Sequence, residues 1–175
     1  MSTCANCQLP AETENTQSNR LCRPCRDLDK KEDSIHVSPI ERDDLELILA
    51  WRSNPKIFEH FRKQNEPLDW IDHVSWFESR VADRYDFMIH YNDRRVGVIN
   101  IDQNDMVGIY LGDFSAHGQG IATEALCWLC TRFENRVPLF AEIHEDNTAS
   151  KNLFRRCGFQ KTNKNKEWIE YVYNS

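Results

Sequence analysis

Four cysteines near the start of the chain form two pairs, Cys4-x2-Cys7 and Cys22-x2-Cys25, separated by 14 residues. Two thiolates spaced in this way can grip one metal ion from a tight turn. Two such turns close a tetrahedral site with no open position, so the pattern predicts a structural zinc and not a catalytic one. The surrounding residues, Met1 to about Asp33, carry almost no large apolar side chains and cannot build a core of their own. Bound metal would supply their folding energy. A reduced, unstructured tail or two loose disulfides is the alternative that the same cysteines leave open. Cys127, Cys130 and Cys157 fall singly within apolar helical patterns. An odd total of seven cysteines, with neither a basic start nor an apolar leader, predicts reduced thiols and a cytoplasmic setting.

A second constellation is the run Met106-Val-Gly-Ile-Tyr110-Leu111-Gly112 followed by His117-Gly118-Gln119-Gly120-Ile121-Ala122-Thr123. It reads as strand, glycine loop and helix start. Glycines at 118 and 120 let backbone N–H groups turn toward a ligand, and the helix N-terminus adds partial positive charge, which suits a pyrophosphate. An ordinary strand-to-helix turn would also want glycine here. The third constellation is Glu142 and His144. Strand alternation puts Phe140, Glu142 and His144 on one face and Leu139, Ala141 and Ile143 on the other. A carboxylate there can take a proton from an ammonium, directly or through one water, with His144 the second candidate base. A solvated strand carboxylate is the plainer alternative for Glu142.

The elements that must position these groups follow from periodicity. Ile35 and Val37 alternate in a first strand, and Leu45, Ile48, Leu49 and Arg52 share a helical spacing that stops at Asn54-Pro55. A second helix is predicted from Asp69, its cap, to Val81, with Ile71, Val74, Phe77 and Val81 as its stripe. Tyr85 to Tyr91 and Arg95 to Ile101 make a hairpin about Asn92-Asp93. Met106 to Leu111 is the next strand. The helix after the glycine loop has the stripe Ala122, Leu126, Leu129 and Phe133. Leu139 to His144 is a strand, Asn147 to Cys157 a helix closed by Gly158, and two strands end the chain. The order βααβββαβαββ predicts an α/β (α+β) fold, a mixed, mostly antiparallel sheet flanked by helices. Residues 1–33 would form the zinc knuckle and a charged linker, and residues 34–175 one domain.

Composition bounds the function. With 40% hydrophobic and 29% charged residues the chain is that of an ordinary globular protein. Its longest apolar run, Ala125 to Cys130, is too short for a bilayer. Twenty-two Lys and Arg against 28 Asp and Glu leave a net charge of −6, which argues against nucleic acid or an anionic membrane as the general partner.

Taken together, the loop and the segment Ala141 to Phe159 resemble the GNAT superfamily of acetyl-CoA-dependent N-acetyltransferases. In that family a [Gln/Arg]-x-x-Gly-x-[Gly/Ala] loop holds the coenzyme A pyrophosphate. His117-x-x-Gly120-x-Ala122 fills the frame, with His117 in place of Gln or Arg. The resemblance covers about Ile35 to Tyr173 and implies acetyl-CoA as co-substrate. It implies that Asn147 contacts the pantetheine arm. It also implies that Phe154 stands where a Tyr often protonates the departing thiolate. Similarity to the RimI-type branch puts the general base at Glu142. Trp51-Arg52-Ser-Asn-Pro55 and His73-Val-Ser-Trp76-Phe77 resemble the branch of UDP-4-amino-sugar and RimJ/RimL-type acetyltransferases. That likeness implies a nucleotide-activated amino sugar as acceptor, with Trp51, Arg52, Phe61 and Trp76 as its contacts; by position alone these aromatics could be core, which is the plainer reading of Trp76 and Phe77 on an apolar stripe. Acetylation of a protein N-terminus or lysine, and a non-catalytic binding module, are the rival functions. The knuckle could recruit a protein partner or cover the active site, and a homodimer is left open.

Overall fold

The computed structural model describes residues 3–10, 23–29 and 35–174. Cys22, the fourth predicted metal ligand, lies outside the described residues. A short helix, α1 (Arg23–Asp29), precedes β1 (Ile35–Pro39). Next come α2 (Leu45–Arg52), α3 (Pro55–Phe58) and α4 (Trp70–Glu78). Strands β2 (Tyr85–Tyr91), β3 (Arg94–Ile101) and β4 (Val107–Leu111) lead to α5 (Ile121–Arg132). Then β5 (Leu139–His144), α6 (Thr148–Arg156), β6 (Gln160–Asn165) and β7 (Trp168–Tyr173) complete the chain.

The mixed α/β architecture is the expected one, but the strands fall into two antiparallel sheets. One has the order β1-β2-β3-β4 and the other β5-β7-β6. They touch through one parallel bridge between Met106 and Phe140, with the Phe140 N–H donating to the Asp105 carbonyl at 2.9 Å. Beyond that bridge β4 and β5 are unpaired, and a cleft opens between them.

Local chemistry explains most boundaries. Asn92 and Asp93 both take positive φ (48° and 58°), as a two-residue turn between twisted strands requires. The Asp69 carboxylate accepts the Ile71 N–H at 2.8 Å and caps α4. Pro55 was expected only to end a helix; instead it starts α3, with the Asn54 side chain accepting the Lys56 N–H. The second predicted helix is shorter than expected, ending at Glu78. Two members of its predicted stripe, Ile71 and Val81, are 72% and 51% exposed, while His73 is the buried residue of α4.

The first sheet is covered on both faces. Val37, Phe87, Ile89, Ile99 and Ile101 pack with Ile121, Ala125, Leu126 and Leu129 of α5 in the main core. On the other face Met88 and Val98 meet Leu45 and Ile48 of α2. The main core, on the α5 side, also contains Cys4, Cys7 and Cys25.

Candidate active site

The glycine loop follows β4, whose residues Val107 to Tyr110 line the cleft. Asp113 opens a short 3-10 turn by accepting the Ser115 N–H at 2.9 Å. The Ser115 hydroxyl, helped by its N–H and by Arg94, holds the Asp113 carboxyl below its ordinary range. Gly118 and Gly120 sit at φ +77° and +81°, and a Cβ on either would meet nothing within 4 Å. That geometry favours glycine for the backbone alone. The first intrahelical bond of α5 runs from the Glu124 N–H to the Gly120 carbonyl at 3.1 Å. Helix geometry therefore leaves the N–H groups of Ile121, Ala122 and Thr123 without an intrahelical acceptor, next to open space. The donor set fits a pyrophosphate. The His117 ring bonds the Leu111 carbonyl at 3.1 Å, and the Gln119 amide donates to the Ser115 carbonyl, so both side chains brace the loop.

The cleft has a volume of about 360 Å³. One wall carries Glu142 and His144 of β5, Asn147, Ser150 and Phe154 of α6 and its cap, and Trp168 of β7. The alternation expected for β5 holds in burial, with Leu139, Ala141 and Ile143 buried and the residues between them less so, although Ile143 also borders the cleft. Asn147 caps α6, its side chain accepting the Ser150 N–H at 3.0 Å. Phe154 is 3% exposed and packs edge-on against Phe159, centroids 4.9 Å apart. It has no proton to give.

The facing wall comes from the first third of the chain, and it reaches across. Arg62 forms an ion pair with Glu142 and lies 5.7 Å from the Trp168 ring centroid. His60 stacks on His144, centroids 5.5 Å apart and planes at 22°. His144 Nδ1 accepts the Asp146 N–H at 3.2 Å, and Nε2 faces the Glu167 carboxylate at 3.8 Å. Neither Arg62 nor His60 was singled out from sequence. Their segment has no periodicity, and nothing local marks a residue that pairs 80 positions away.

At the inner end of the cleft Arg52, Phe61, Trp76 and Tyr110 come together. Arg52 Nε donates to the Gln64 side chain at 3.1 Å, and the Gln64 amide returns bonds to the carbonyls of Arg52 and Glu66 at 2.6 and 3.0 Å. Gln64, 7% exposed, thus pins the irregular segment before α4 onto the end of α2. Burial pulls the Arg52 guanidinium below its ordinary value and pushes the Tyr110 phenol up. The Tyr110 hydroxyl is buried without a hydrogen-bond partner among the described residues. Asp86, also lining this end, is taken by Arg84 through two bonds of 2.8 and 2.9 Å and by Arg80 at 3.4 Å.

Trp51 is placed apart from the other predicted acceptor contacts. It packs with the α2 core and under Gly112, where a Cβ would fall 2.0 Å from the indole, and it does not line the cleft. Leu111 and the loop residues do not line that cleft either. A wider hollow of about 690 Å³ between Leu9–Pro10 and Glu134–Arg136 contains none of the predicted site residues.

The cysteine pattern is realised in part. Cys4, Cys7 and Cys25 are buried, and their sulfur atoms lie within 4.8 Å of one another. Three thiols at that spacing fit a tetrahedral metal site whose fourth corner the described residues do not supply.

Residues 35–160 match the acetyltransferase (GNAT) domain family, and the chain belongs to that family. A curated relative, an uncharacterised protein of Methanocaldococcus jannaschii, is 38% identical over 153 residues, 81% of this chain. The match spans 31% of that relative's length. The crystal structure of a domain from Methanocaldococcus jannaschii superposes with a TM-score of 0.76 at 37% identity, over 82% of this chain and all of that one. RimL, a ribosomal L7/L12 alpha-N-protein acetyltransferase solved with coenzyme A, shares the fold at 16% identity, with a TM-score of 0.70 over 82% of this chain and 95% of its own. No helix among the described residues is long and apolar enough to cross a membrane.

Proposed function

We propose that this domain transfers the acetyl group of acetyl-CoA to a primary amine, and that the acceptor is a small molecule of the nucleotide-activated amino-sugar class. The observation that carries the reading is the alignment of two features. A glycine loop and α5 N-terminus, whose first N–H groups lack intrahelical acceptors, follow β4, and β4 lines a cleft that also holds the Glu142 carboxylate and the His144 imidazole. Bound acetyl-CoA supplies the thioester; the backbone N–H groups from Gly118 to Thr123 would hold its pyrophosphate, and Asn147 would face its pantetheine arm.

A primary alkylamine, like Lys with its pKa of about 10.4, is mostly protonated at neutral pH, and only the free base attacks a thioester. Glu142 takes that proton, directly or through one water, with Arg62 and His60 fixing the groups beside it. Because Phe154 cannot donate, the departing thiolate leaves unassisted or receives the proton relayed from the acceptor nitrogen. Phe61 and Trp76 offer rings for a base or sugar to stack on, and Arg52 a desolvated cation for a phosphate or sugar oxygen. Thiol release followed with a panel of UDP-amino sugars, simple amines and peptides tests the acceptor. Turnover confined to peptides replaces the small-molecule reading with a protein acetyltransferase. Coenzyme binding with no thiol release from any amine replaces it with a binding module.

We also propose that Cys4, Cys7, Cys22 and Cys25 hold one structural zinc. The buried trio of thiols and the second Cys-x2-Cys pair support it. Elemental analysis of protein purified without chelator should give one zinc per chain; a content near zero removes the claim.

A further inference from the structure

Trp128 lies on a face of α5 that the predicted stripe does not include, and it is 3% exposed. Its indole Nε1–H donates to Cys25 Sγ at 3.4 Å, and its ring stands edge-on to Phe87 with centroids 5.0 Å apart. A buried indole N–H needs an acceptor. A thiolate on a metal keeps enough negative charge to be a good one, whereas a neutral thiol is a weak one. One helical turn later Arg132 donates to the Pro10 carbonyl at 3.0 Å. The knuckle itself is ordered by the Cys4 N–H donating to the Leu9 carbonyl and the Gln8 N–H donating to the Cys4 carbonyl, both at 2.9 Å, with Gln8 at φ 56°. Leu9 packs against the main core.

We infer that the acetyltransferase body supports the metal site from outside: Trp128 is the outer partner of the Cys25 thiolate and raises the metal affinity of the whole chain. The inference rests on the zinc reading given above. Outer partners of metal ligands orient them and disperse their charge, and losing one weakens binding by about 10- to 100-fold. The knuckle and α5 are then one unit, joined through a hydrogen bond to a metal ligand.

Zinc-loaded full-length protein, titrated with a chromophoric chelator, tests this. Trp128→Phe keeps an aromatic ring but removes the N–H donor, and should release zinc at a chelator concentration about 10- to 100-fold lower than wild type, with its helical circular dichroism retained. Trp70→Phe, at an exposed tryptophan, should match wild type. Equal zinc affinity in folded Trp128→Phe and wild type overturns the role of Trp128 while leaving the zinc reading intact. A wild-type protein without zinc overturns the zinc reading first, and this inference with it. Should Trp128→Phe fail to fold, wild type substituted with an NMR-active cadmium isotope decides. Scalar coupling from cadmium to the Trp128 indole proton supports the bond, and its absence in loaded, folded protein overturns it.

Discussion

Glu142 faces the cleft for the simplest of reasons, strand alternation, and that much was legible from β5 alone. Its partner was not. Arg62 lies in an irregular segment held by Gln64, and which carboxylate it meets depends on how two sheets diverge. The same holds for Trp51: a Trp-Arg pair beside a proline suggested a binding surface, but the ring is claimed by the space above Gly112. The proton-transfer role belongs at this scale. Glu142→Gln keeps the shape and loses the base, so kcat at pH 7 should fall by about 10² or more. Acetyl-CoA affinity should stay near wild type, because the anion cradle is some distance along the chain on main-chain donors. The deficit should shrink as rising pH deprotonates the amine without help. Full activity from pH 6.5 to 8 would hand the role to His144 or to solvent.

Elements were the most legible level where their signals are local: Asp69 as a cap, Asn147 as the start of a helix, Asn92-Asp93 as a turn, glycine before α5. Sheet partition was not legible, since it depends on a single bridge between Met106 and Phe140. Two predictions belong to elements. In Gly120→Val a branched side chain is forced to φ +81° at the N-cap of α5, so backbone strain of about 1–3 kcal/mol is expected. The added atoms would project into the space a pyrophosphate needs. Calorimetry should show acetyl-CoA binding at least about tenfold weaker, which is a loss of about 1.4 kcal/mol; wild-type affinity would move the coenzyme site elsewhere. The second concerns β1 and β2, where His90 stacks on His36 at 4.1 Å and bonds the Ser38 hydroxyl. Burial, then the neighbouring His36, lower the His90 pKa to about 4, against the opposing pull of Asp44 and with Arg95 and Asp93 contributing opposite signs. His73, desolvated in α4, shifts the same way. A base whose folded pKa is lowered costs nothing above its ordinary value of 6.5, where both states are neutral. Below that the unfolded chain gains the proton first. Stability should therefore fall as pH drops from 6.5 toward 4, and His90→Gln should flatten that fall in a melting series. An unchanged slope would place the acid sensitivity in other groups.

At the scale of the whole molecule the sequence suggested a metal-dependent knuckle and charged linker over residues 1–33, ahead of one domain over residues 34–175, because cysteine spacing is a local signal. What that spacing cannot reveal is the docking face. The stripe chosen for α5 ran through Leu126, Leu129 and Phe133, yet the helix is buried on a second side as well, where Trp128 meets Cys25 and Arg132 meets Pro10. Cys4, Cys7 and Cys25 accordingly belong to the same core as Phe87 and Leu126. Removing residues 1–33 should therefore injure the part that remains. A chain starting at Ser34 would expose the indole of Trp128 and the apolar surface beside it. Uncovering a large apolar side chain costs about 1.5–3 kcal/mol. For a chain of this size that lowers Tm by roughly 2–4 °C per kcal/mol, so a drop of about 3–12 °C is expected. A newly exposed apolar patch also promotes association, which size-exclusion chromatography would register. The intact, metal-loaded chain should melt in one transition, with metal release and loss of tertiary signal coinciding. Equal melting temperatures for the full and shortened chains, or metal release well below the main transition, would make the knuckle an independent module.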